Sequence, residues 1–204
     1  MTTLLTEFDT TTLTFEEVSI KNKTYILPKL PNGQQVPVLE TPWIEMNCYG
    51  IPKLNEHFRT DSDRMFIKIP LEPDTPMFKS LTLIDNLMQS DDMTKKLFKT
   101  EGYTYTPIIK LSQNTEYPPC MKVKLMRDPG NVMETEFFEA NSKLTINKLQ
   151  DACEAMPYKS NLKILIKISK VWVINKSYGI TLKAIKVKVK PSKMPKTSYE
   201  FTEE

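Results

Sequence analysis

The segment KILIKISKVWVINKSYGITLKAIKVKVK, residues 163–190, decides the fold of this chain. Apolar residues and lysines alternate along its first part, which is typical of a strand with one buried face. On this pattern one face of a strand over residues 163–175 carries Ile164, Ile166, Ile168, Lys170, Trp172 and Ile174. A second strand follows over residues 179–190, so the segment predicts two strands joined by a loop over residues 175–179.

The second strand changes face part of the way along. Ile180 and Leu182 follow one phase of the alternation, whereas Val187 and Val189 follow the other. Strand faces otherwise alternate strictly, so this slip by one residue predicts a β-bulge near residues 184–185.

Further elements precede this segment. Period-two patterns predict strands over residues 103–110, 120–126 and 132–138, and helical spacing predicts a short helix over residues 145–156. The order strand, strand, strand, helix, strand, strand is that of an OB-fold, a five-stranded Greek-key barrel. The predicted fold class is therefore mainly β, with a few short helices.

Two of these helices have clear start signals. Thr75 is a good N-cap residue, and Pro76 is preorganised for the first helical position. Ser90 is a second N-cap, and it is followed by acidic residues that suit the first turn of a helix. These signals predict helices over residues 76–89 and 91–98.

The length of 204 residues favours one domain with extensions. We divide the chain into an N-terminal extension over residues 1–65, an OB-fold domain over residues 66–190 and a flexible acidic and aromatic tail over residues 191–204. Asn32-Gly33 predicts a tight hairpin turn within the extension. Nearby prolines place this β-hairpin at an edge of the main sheet or outside it.

Composition argues against several classes of function. Hydrophobic residues make up 40% of the chain and charged residues 26%, which is enough for one folded core. Three cysteines without a CxxC pair and a single histidine, His57, argue against a disulfide framework, a zinc site and a histidine-based catalytic centre. No apolar run approaches the roughly 18 residues of a membrane helix. We expect a soluble, non-enzymatic protein with reduced thiols, no cofactor and no metal.

Positive charge is concentrated near the C-terminus. Residues 159–196 contain eleven lysines and no acidic residue, whereas residues 1–158 contain 17 basic and 22 acidic residues. Such a block is expected of a protein that binds a polyanion. Lysine-bearing strands also protect against aggregation, so charge alone leaves both interpretations open.

Aromatic residues are interleaved with the lysines. Proteins that bind single-stranded nucleic acid combine a cationic groove with aromatic rings on which bases stack. We expect Tyr178 to stack on bases from the loop, whereas Trp172 shares a face with Ile166 and Ile168 and is expected in the core. The candidate nucleic-acid-binding residues are Tyr103, Tyr105, Lys110, Lys122, Lys124, Lys170, Trp172, Lys176, Tyr178 and Lys183.

Several motifs resemble those of one family. They are LTLIDNLMQSD at residues 81–91, YTYTPIIK at 103–110, YPPCMKVKL at 117–125 and KVWVINKSYGITLKAIKV at 170–187. The chain resembles the single-stranded-DNA-binding proteins of nucleocytoplasmic large DNA viruses, of the African swine fever virus type and of giant and algal viruses. This resemblance implies an OB-fold that coats single-stranded DNA in replication, recombination or repair, without sequence preference and without catalysis. It also implies residence in the viral factory of the host cytoplasm or in the nucleus, or packaging in the virion.

Two alternatives remain open at this point. The barrel could serve protein contacts in a virion structural or scaffold protein, or it could bind RNA, because OB-folds serve both nucleic acids. The tail TSYEFTEE, residues 197–204, is similar to acidic tails that occupy the DNA groove or recruit replication proteins. An unstructured, solvated tail is the simpler interpretation.

Overall fold

A computed structural model describes residues 2–20, 23–31, 33–98, 100–130 and 132–192, so the acidic part of the expected tail lies outside the description. Within these ranges the chain is mainly β, with twelve strands in one mixed sheet and three α-helices. The strands are β1 (Thr2–Leu4), β2 (Thr14–Ile20), β3 (Lys23–Lys29), β4 (Val38–Glu40), β5 (Ile44–Glu45), β6 (Phe66–Pro70), β7 (Thr104–Tyr105), β8 (Cys120–Leu125), β9 (Glu136–Glu139), β10 (Ser142–Leu144), β11 (Asn161–Ile174) and β12 (Ser177–Lys190). The helices are α1 (Pro76–Gln89), α2 (Asp91–Leu97) and α3 (Leu149–Ala155). None of these described helices has the length and apolar character that a membrane crossing requires.

The long antiparallel hairpin β11–β12 is the spine of the sheet. Asn175 and Lys176 form its turn, with φ angles of 48° and 60°. Positive φ at both central residues is the requirement of a type I′ turn, whose twist matches that of the flanking strands. The predicted loop over residues 175–179 is therefore too long, because strand pairing resumes at Ser177.

The bulge predicted in β12 is confirmed. Leu165 pairs with Lys186 and Ile166 pairs with Ala184, which leaves Ile185 without a partner on β11. The apolar residues on either side of the bulge can therefore reach the same core.

A second bulge, which the sequence pattern did not indicate, lies in β11. Ile168 and Lys170 pair with consecutive residues of β12, so Ser169 is left over. Beyond this point the side chains change face, and Lys170, Trp172 and Ile174 point away from the side that Ile168 faces. The prediction that these residues share one face with Ile168 is therefore wrong.

Short strands extend the sheet on both sides of the hairpin. β7, β8 and β9 pair in parallel with β12, and β6 is antiparallel to β8. On the other side β3, β4 and β5 pair with β11, and β1 pairs with β4. Gly50 and Lys68 exchange two backbone hydrogen bonds of 3.0 and 2.9 Å, which connect the chain after β5 to β6. Strands before residue 66 thus belong to the same sheet as those after it, and the division at residue 65 stays a prediction.

The N-terminal hairpin consists of β2 and β3, which pair from Thr14 with Lys29 to Ile20 with Lys23. Their connection, residues 21 and 22, and also Asn32 lie outside the described ranges. The chain reverses at the turn predicted for residues 32–33, because Lys29 and Gln35 on either side of it form an antiparallel bridge. Gly33 has a φ of 76°, and its N–H donates to the carbonyl of Leu30 at 2.9 Å. The hairpin lies at an edge, where β3 meets β11.

Both predicted helix starts are confirmed. The Thr75 hydroxyl accepts a hydrogen bond from the N–H of Phe78, and the Ser90 hydroxyl accepts one from the N–H of Met93, each at 3.2 Å. The third helix is shorter than predicted, because regular α-helix begins only at Leu149.

The core is one cluster formed by the inner face of the hairpin, β6, β8 and the helices. Alternate residues of both hairpin strands are buried there: Leu162, Ile164, Ile166, Ile168, Leu182, Ala184, Val187 and Val189. α1 contributes Leu81, Ile84 and Met88 to the same cluster. One side of the hairpin therefore packs in the core, and the other side faces the surface.

Candidate nucleic-acid interface

The side of the sheet opposite the core carries many lysines, and we call it the basic face. Strand residues alternate, so the neighbours of the buried positions point outward. On β6, β8, β11 and β12 these outward neighbours include Lys68, Lys122, Lys124, Lys163, Lys167, Lys170, Lys183, Lys186 and Lys188. The lysines from the C-terminal block thus join others from the middle of the chain.

Several of these lysines lie directly opposite one another. Lys183 of β12 is in register with Lys124 on one side and with Lys167 on the other. Lys68 is paired with Lys122 across β6 and β8. Like charges directly opposite each other destabilise a sheet. A bound anion would relieve this repulsion.

A groove on the basic face is built around Trp172, and we call it the Trp172 groove. Trp172 pairs with Gly179 across the hairpin. A Cβ atom on Gly179 would lie 2.8 Å from the indole Cζ2 and 2.9 Å from the carbonyl oxygen of Thr106. The indole therefore lies directly against the backbone of β12, and only glycine leaves room for it.

The groove has a volume of about 390 Å³, and three lysines line it together with the half-buried indole. These lysines are Lys110, Lys122 and Lys124. Among the described residues, none of the three forms an ion pair with a carboxylate. An aromatic surface and unpaired cations therefore meet in one place.

Burial lowers the pKa of Lys122, and the positive charges of Lys124, Lys68 and Lys110 lower it further. Its Nζ lies 3.6 Å from the centroid of the Phe66 ring, where a cation–π contact partly compensates for the lost solvation. A phosphate placed here would favour the charged form of Lys122.

The position of Lys110 depends on a buried carboxylate of α1. Asp85 accepts hydrogen bonds from the N–H of Ile108 at 2.7 Å, the N–H of Ile109 at 3.1 Å and the hydroxyl of Tyr105 at 2.7 Å. Lys110 then exchanges backbone hydrogen bonds of 2.8 and 2.9 Å with Cys120 of β8. Burial lowers the pKa of Lys110, whereas the charge of Asp85 acts in the opposite direction. Asp85 thus holds a whole segment beside the groove.

The cationic surface continues beyond the Trp172 groove. Lys110 and Lys122 also line a neighbouring depression of about 430 Å³, together with Tyr49, Lys68 and Asn114. The two depressions therefore share Lys110 and Lys122.

The predicted stacking role of Tyr178 conflicts with its position. Its side chain is 0% exposed, and it belongs to β12 rather than to a loop. Its hydroxyl donates to the carbonyl oxygen of Met88 at 2.6 Å and lies 2.8 Å from the hydroxyl of Thr94. Tyr178 therefore belongs to the core and Trp172 to the surface, so the predicted environments of the two rings are reversed.

Tyr103 and Tyr105 are also separated from the Trp172 groove. Tyr103 stacks on Phe98, with ring centroids 3.9 Å apart and an interplanar angle of 5°. The Tyr105 ring contacts Tyr178 with a centroid distance of 5.3 Å, and its hydroxyl is held by Asp85. Together with Phe98, these tyrosines form an aromatic cluster next to α1 and α2.

The remaining predicted lysines are distributed along the hairpin. Lys183 and Lys170 lie on the basic face, and the Nζ of Lys170 is 5.3 Å from the centroid of the Tyr25 ring. Lys176 lies at the hairpin turn, where its Nζ donates to the carbonyl of Glu101 at 3.4 Å. Of the predicted set, Lys110, Lys122, Lys124 and Trp172 are thus brought together in one groove.

A second groove on the basic face, of about 630 Å³, lies at the other end of the hairpin and was not predicted from the sequence. We call it the Trp43 groove. Its walls include Trp43 and Phe138, and its lysines are Lys163, Lys186 and Lys188. The alternation of lysine and isoleucine from residue 163 onward could have revealed the lysines. No sequence pattern near Trp43 indicates that this residue lies beside these lysines.

Comparison with known proteins adds one relative. No family model matches the chain. A stretch of 93 residues is 34% identical to part of an uncharacterized protein of Acanthamoeba polyphaga mimivirus. The matched stretch makes up 41% of this chain and 23% of the viral protein. The chain thus spans less than a quarter of the length of this viral relative.

Proposed function

We propose that this protein binds single-stranded DNA without sequence preference. The observation that carries the proposal is the Trp172 groove, where a half-buried indole lies among three lysines that have no carboxylate partner in the described part of the chain. Lysine ammonium groups bind phosphates, and an indole face stacks on bases. Both kinds of contact in one groove match what a flexible single strand presents.

The chemistry of the groove favours binding that ignores sequence. Apart from the lysines and the indole, its walls are largely aliphatic, with Pro107, Ile174 and Ile180 among them. Every base has a π-face and every nucleotide has a phosphate, so neither contact distinguishes one base from another. Sequence readout would instead need hydrogen bonds to base edges.

The sheet supports an OB-fold as the framework of this interface. Within residues 104–190, the strands β7, β8, β9, β11 and β12 and the helix α3 follow one another in the order that an OB-fold would have, with β10 as an additional short strand. The hydrogen bonds between Gly50 and Lys68 link the segment after β5 to β6, and closure of the sheet into a barrel would need such a link. In an OB-fold the basic face would be part of the outer, ligand-binding surface.

We place this activity in the replication, recombination or repair of viral DNA, without a catalytic step by this chain. The resemblance to the binding proteins of large DNA viruses supports this context, and the matching stretch in a mimivirus protein is consistent with it. Work in the viral factory or nucleus of the host, with replication proteins recruited by the tail, belongs to the same proposal.

A titration with labelled oligonucleotides tests the proposal. Single-stranded DNA, duplex DNA and single-stranded RNA of equal length are compared at low salt. We expect the single-stranded DNA to bind more tightly than the duplex, because a duplex hides the π-faces of its bases from Trp172. Failure to bind any of the three would favour a scaffold role, and a clear preference for RNA would assign the groove to RNA.

Matched variants connect the binding to the groove. Lys122→Gln combined with Lys124→Gln removes two charges from the Trp172 groove. Lys95→Gln combined with Lys96→Gln removes two exposed charges from α2. Only the first pair should weaken binding. Equal effects would point to general electrostatic attraction rather than to a site.

A further inference from the structure

We infer that the Trp43 groove holds a second part of the same DNA strand, so that the interface has two stacking sites connected by lysines. The inference rests on the proposed function and specifies how long a strand one protein molecule engages. Its basis is the chemistry of the Trp43 groove and its position on the same face as Trp172.

The two grooves lie on one face of one hairpin. Lys163 in the Trp43 groove is nine residues before Trp172 on β11, which corresponds to about 25–30 Å of strand. Lys167 and Lys183 lie opposite each other between them. A DNA strand that passes from one groove to the other therefore remains near positive charge throughout.

The Trp43 groove repeats the combination of rings and cations found around Trp172. The Nζ of Lys190 lies 3.9 Å from the centroid of the Trp43 ring, and the Nζ of Lys186 lies 5.4 Å from that of Phe138. Both rings are half-buried, so each keeps an accessible part. The volume of about 630 Å³ is in the range of pockets that hold small organic molecules.

Carboxylates already pair with two of the lysines that line the Trp43 groove. The carboxylate of Glu136 accepts from the Nζ of Lys143 at 2.6 Å and lies 3.0 Å from that of Lys186. These two ammonium groups lower the pKa of Glu136. Lys163 is likewise paired with Glu40. The groove thus attracts anions, but a phosphate must displace a carboxylate in order to bind.

Because carboxylates compete with phosphate in the Trp43 groove, the two grooves should differ in their affinity for DNA. The lysines of the Trp172 groove have no carboxylate partners among the described residues, so a short strand should bind there first. A longer strand anchored at Trp172 reaches the Trp43 groove at a high effective concentration, about millimolar for a short flexible connection. Stacked nucleotides are spaced by about 3.4 Å, so about eight nucleotides are needed to span both grooves.

The two tryptophans of the sequence make the inference testable, because each groove contains one of them. Trp43→Phe leaves only the indole of Trp172, and Trp172→Phe leaves only that of Trp43. Each protein is titrated at low salt with oligothymidylates of about 4 and about 12 nucleotides, lengths chosen to fall short of and exceed the span. Indole fluorescence reports stacking, and anisotropy of a labelled oligonucleotide reports binding itself.

We expect the longer strand to quench both indoles and the shorter one to quench mainly Trp172. If the longer strand saturates Trp172 and leaves the fluorescence of Trp43 unchanged, the second site does not exist, while the proposed function stands. Absence of binding by anisotropy would instead overturn the proposed function, and the inference with it.

Two substitutions test the competition of Glu136 with phosphate and the stacking of bases on Phe138. Glu136→Gln should raise the affinity for the longer strand about two- to five-fold, because it frees Lys143 and Lys186, and should leave the shorter strand unaffected. Glu154→Gln, at an exposed position of α3, is the matched control. Phe138→Ala should weaken only the longer strand, by about five-fold or more. Equal effects on both lengths would refute the two-site interface.

Discussion

Trp172 and Tyr178 face opposite sides of the same hairpin, although both belong to the same short stretch of sequence. The indole lies on the basic face against Gly179, whereas the Tyr178 ring is buried and hydrogen-bonded to Met88. Surface rings contribute to ligand binding, and buried rings contribute to the free energy of unfolding.

Trp172→Ala should therefore weaken binding of single-stranded DNA by about 1–3 kcal/mol, because a stacking surface is lost. Tyr178→Ala should lower the free energy of unfolding by about 3–5 kcal/mol, because a large buried side chain is removed. Oligonucleotide titration and chemical denaturation of both variants measure the two effects. If Trp172→Ala retains full affinity, the indole is not a stacking surface.

Lys122 provides a pH-dependent prediction. Its pKa is lower than that of an ordinary lysine, chiefly through burial, so it loses its proton at a lower pH than other lysines. A phosphate favours the protonated form, and the affinity for DNA should therefore begin to fall at a lower pH than ordinary lysines, whose pKa is about 10.4, would impose. Lys122→Arg should reduce this fall, because arginine keeps its charge up to a pH above about 12. Identical pH profiles for the two proteins would show that Lys122 does not contact phosphate.

The sequence predicted the positions of the lysines in the Trp172 groove better than the positions of the aromatic rings. Lys122 and Lys124 alternate with apolar residues, so their outward direction follows from the period of a strand. The face of Trp172 depends on the bulge at Ser169, and around that bulge apolar residues occupy both phases of the pattern. The sequence therefore showed no change in the phase of the alternation at Ser169, whereas it showed one near Ile185.

At the scale of elements, Asp85 connects α1 to the segment that carries Lys110. The residue is 6% exposed, and its carboxylate accepts three hydrogen bonds. Hydrogen bonds to a buried charged group are each worth about 1.5–3 kcal/mol, and removing the charge leaves their N–H donors poorly matched.

Asp85→Asn should lower the free energy of unfolding by about 3–5 kcal/mol and speed amide hydrogen exchange at Ile108 and Ile109. Asp92→Asn, at an exposed position of α2, is the control and should cost less than about 1 kcal/mol. Denaturant titrations and hydrogen exchange measure these effects. Unchanged exchange at the two amides would mean that the segment is held by packing alone.

Helix starts were predictable because their signals are local. Thr75 and Ser90 each act within a few residues, and both caps are found where the sequence indicated them. The strands β4, β5 and β7 contain only two or three residues, which is too short for a periodic pattern. Their places depend on partners that are distant in sequence, so the breadth of the sheet could not be predicted.

At the scale of the whole molecule, the basic face determines how binding responds to salt. If about four to six phosphates are neutralised, the logarithm of the binding constant should fall against the logarithm of the salt concentration with a slope of roughly −3 to −4. Lys122→Gln combined with Lys124→Gln should flatten the slope by about 1.4. Titrations over a range of salt concentrations provide the measurement. A slope near zero would exclude phosphate contacts as the main source of affinity.

The opposed lysines have a consequence for the protein without DNA. Lys183 lies between Lys124 and Lys167, and their repulsion is weakened when salt shortens the screening length. The melting temperature of the free protein should therefore rise with salt, under the same conditions that weaken DNA binding, and Lys183→Gln should reduce this rise. Thermal denaturation at increasing salt tests this, and a melting temperature that is constant or falls would contradict it. Bound DNA would then act as a counterion for the sheet, and the protein would have a higher melting temperature when it is bound to DNA than when it is free.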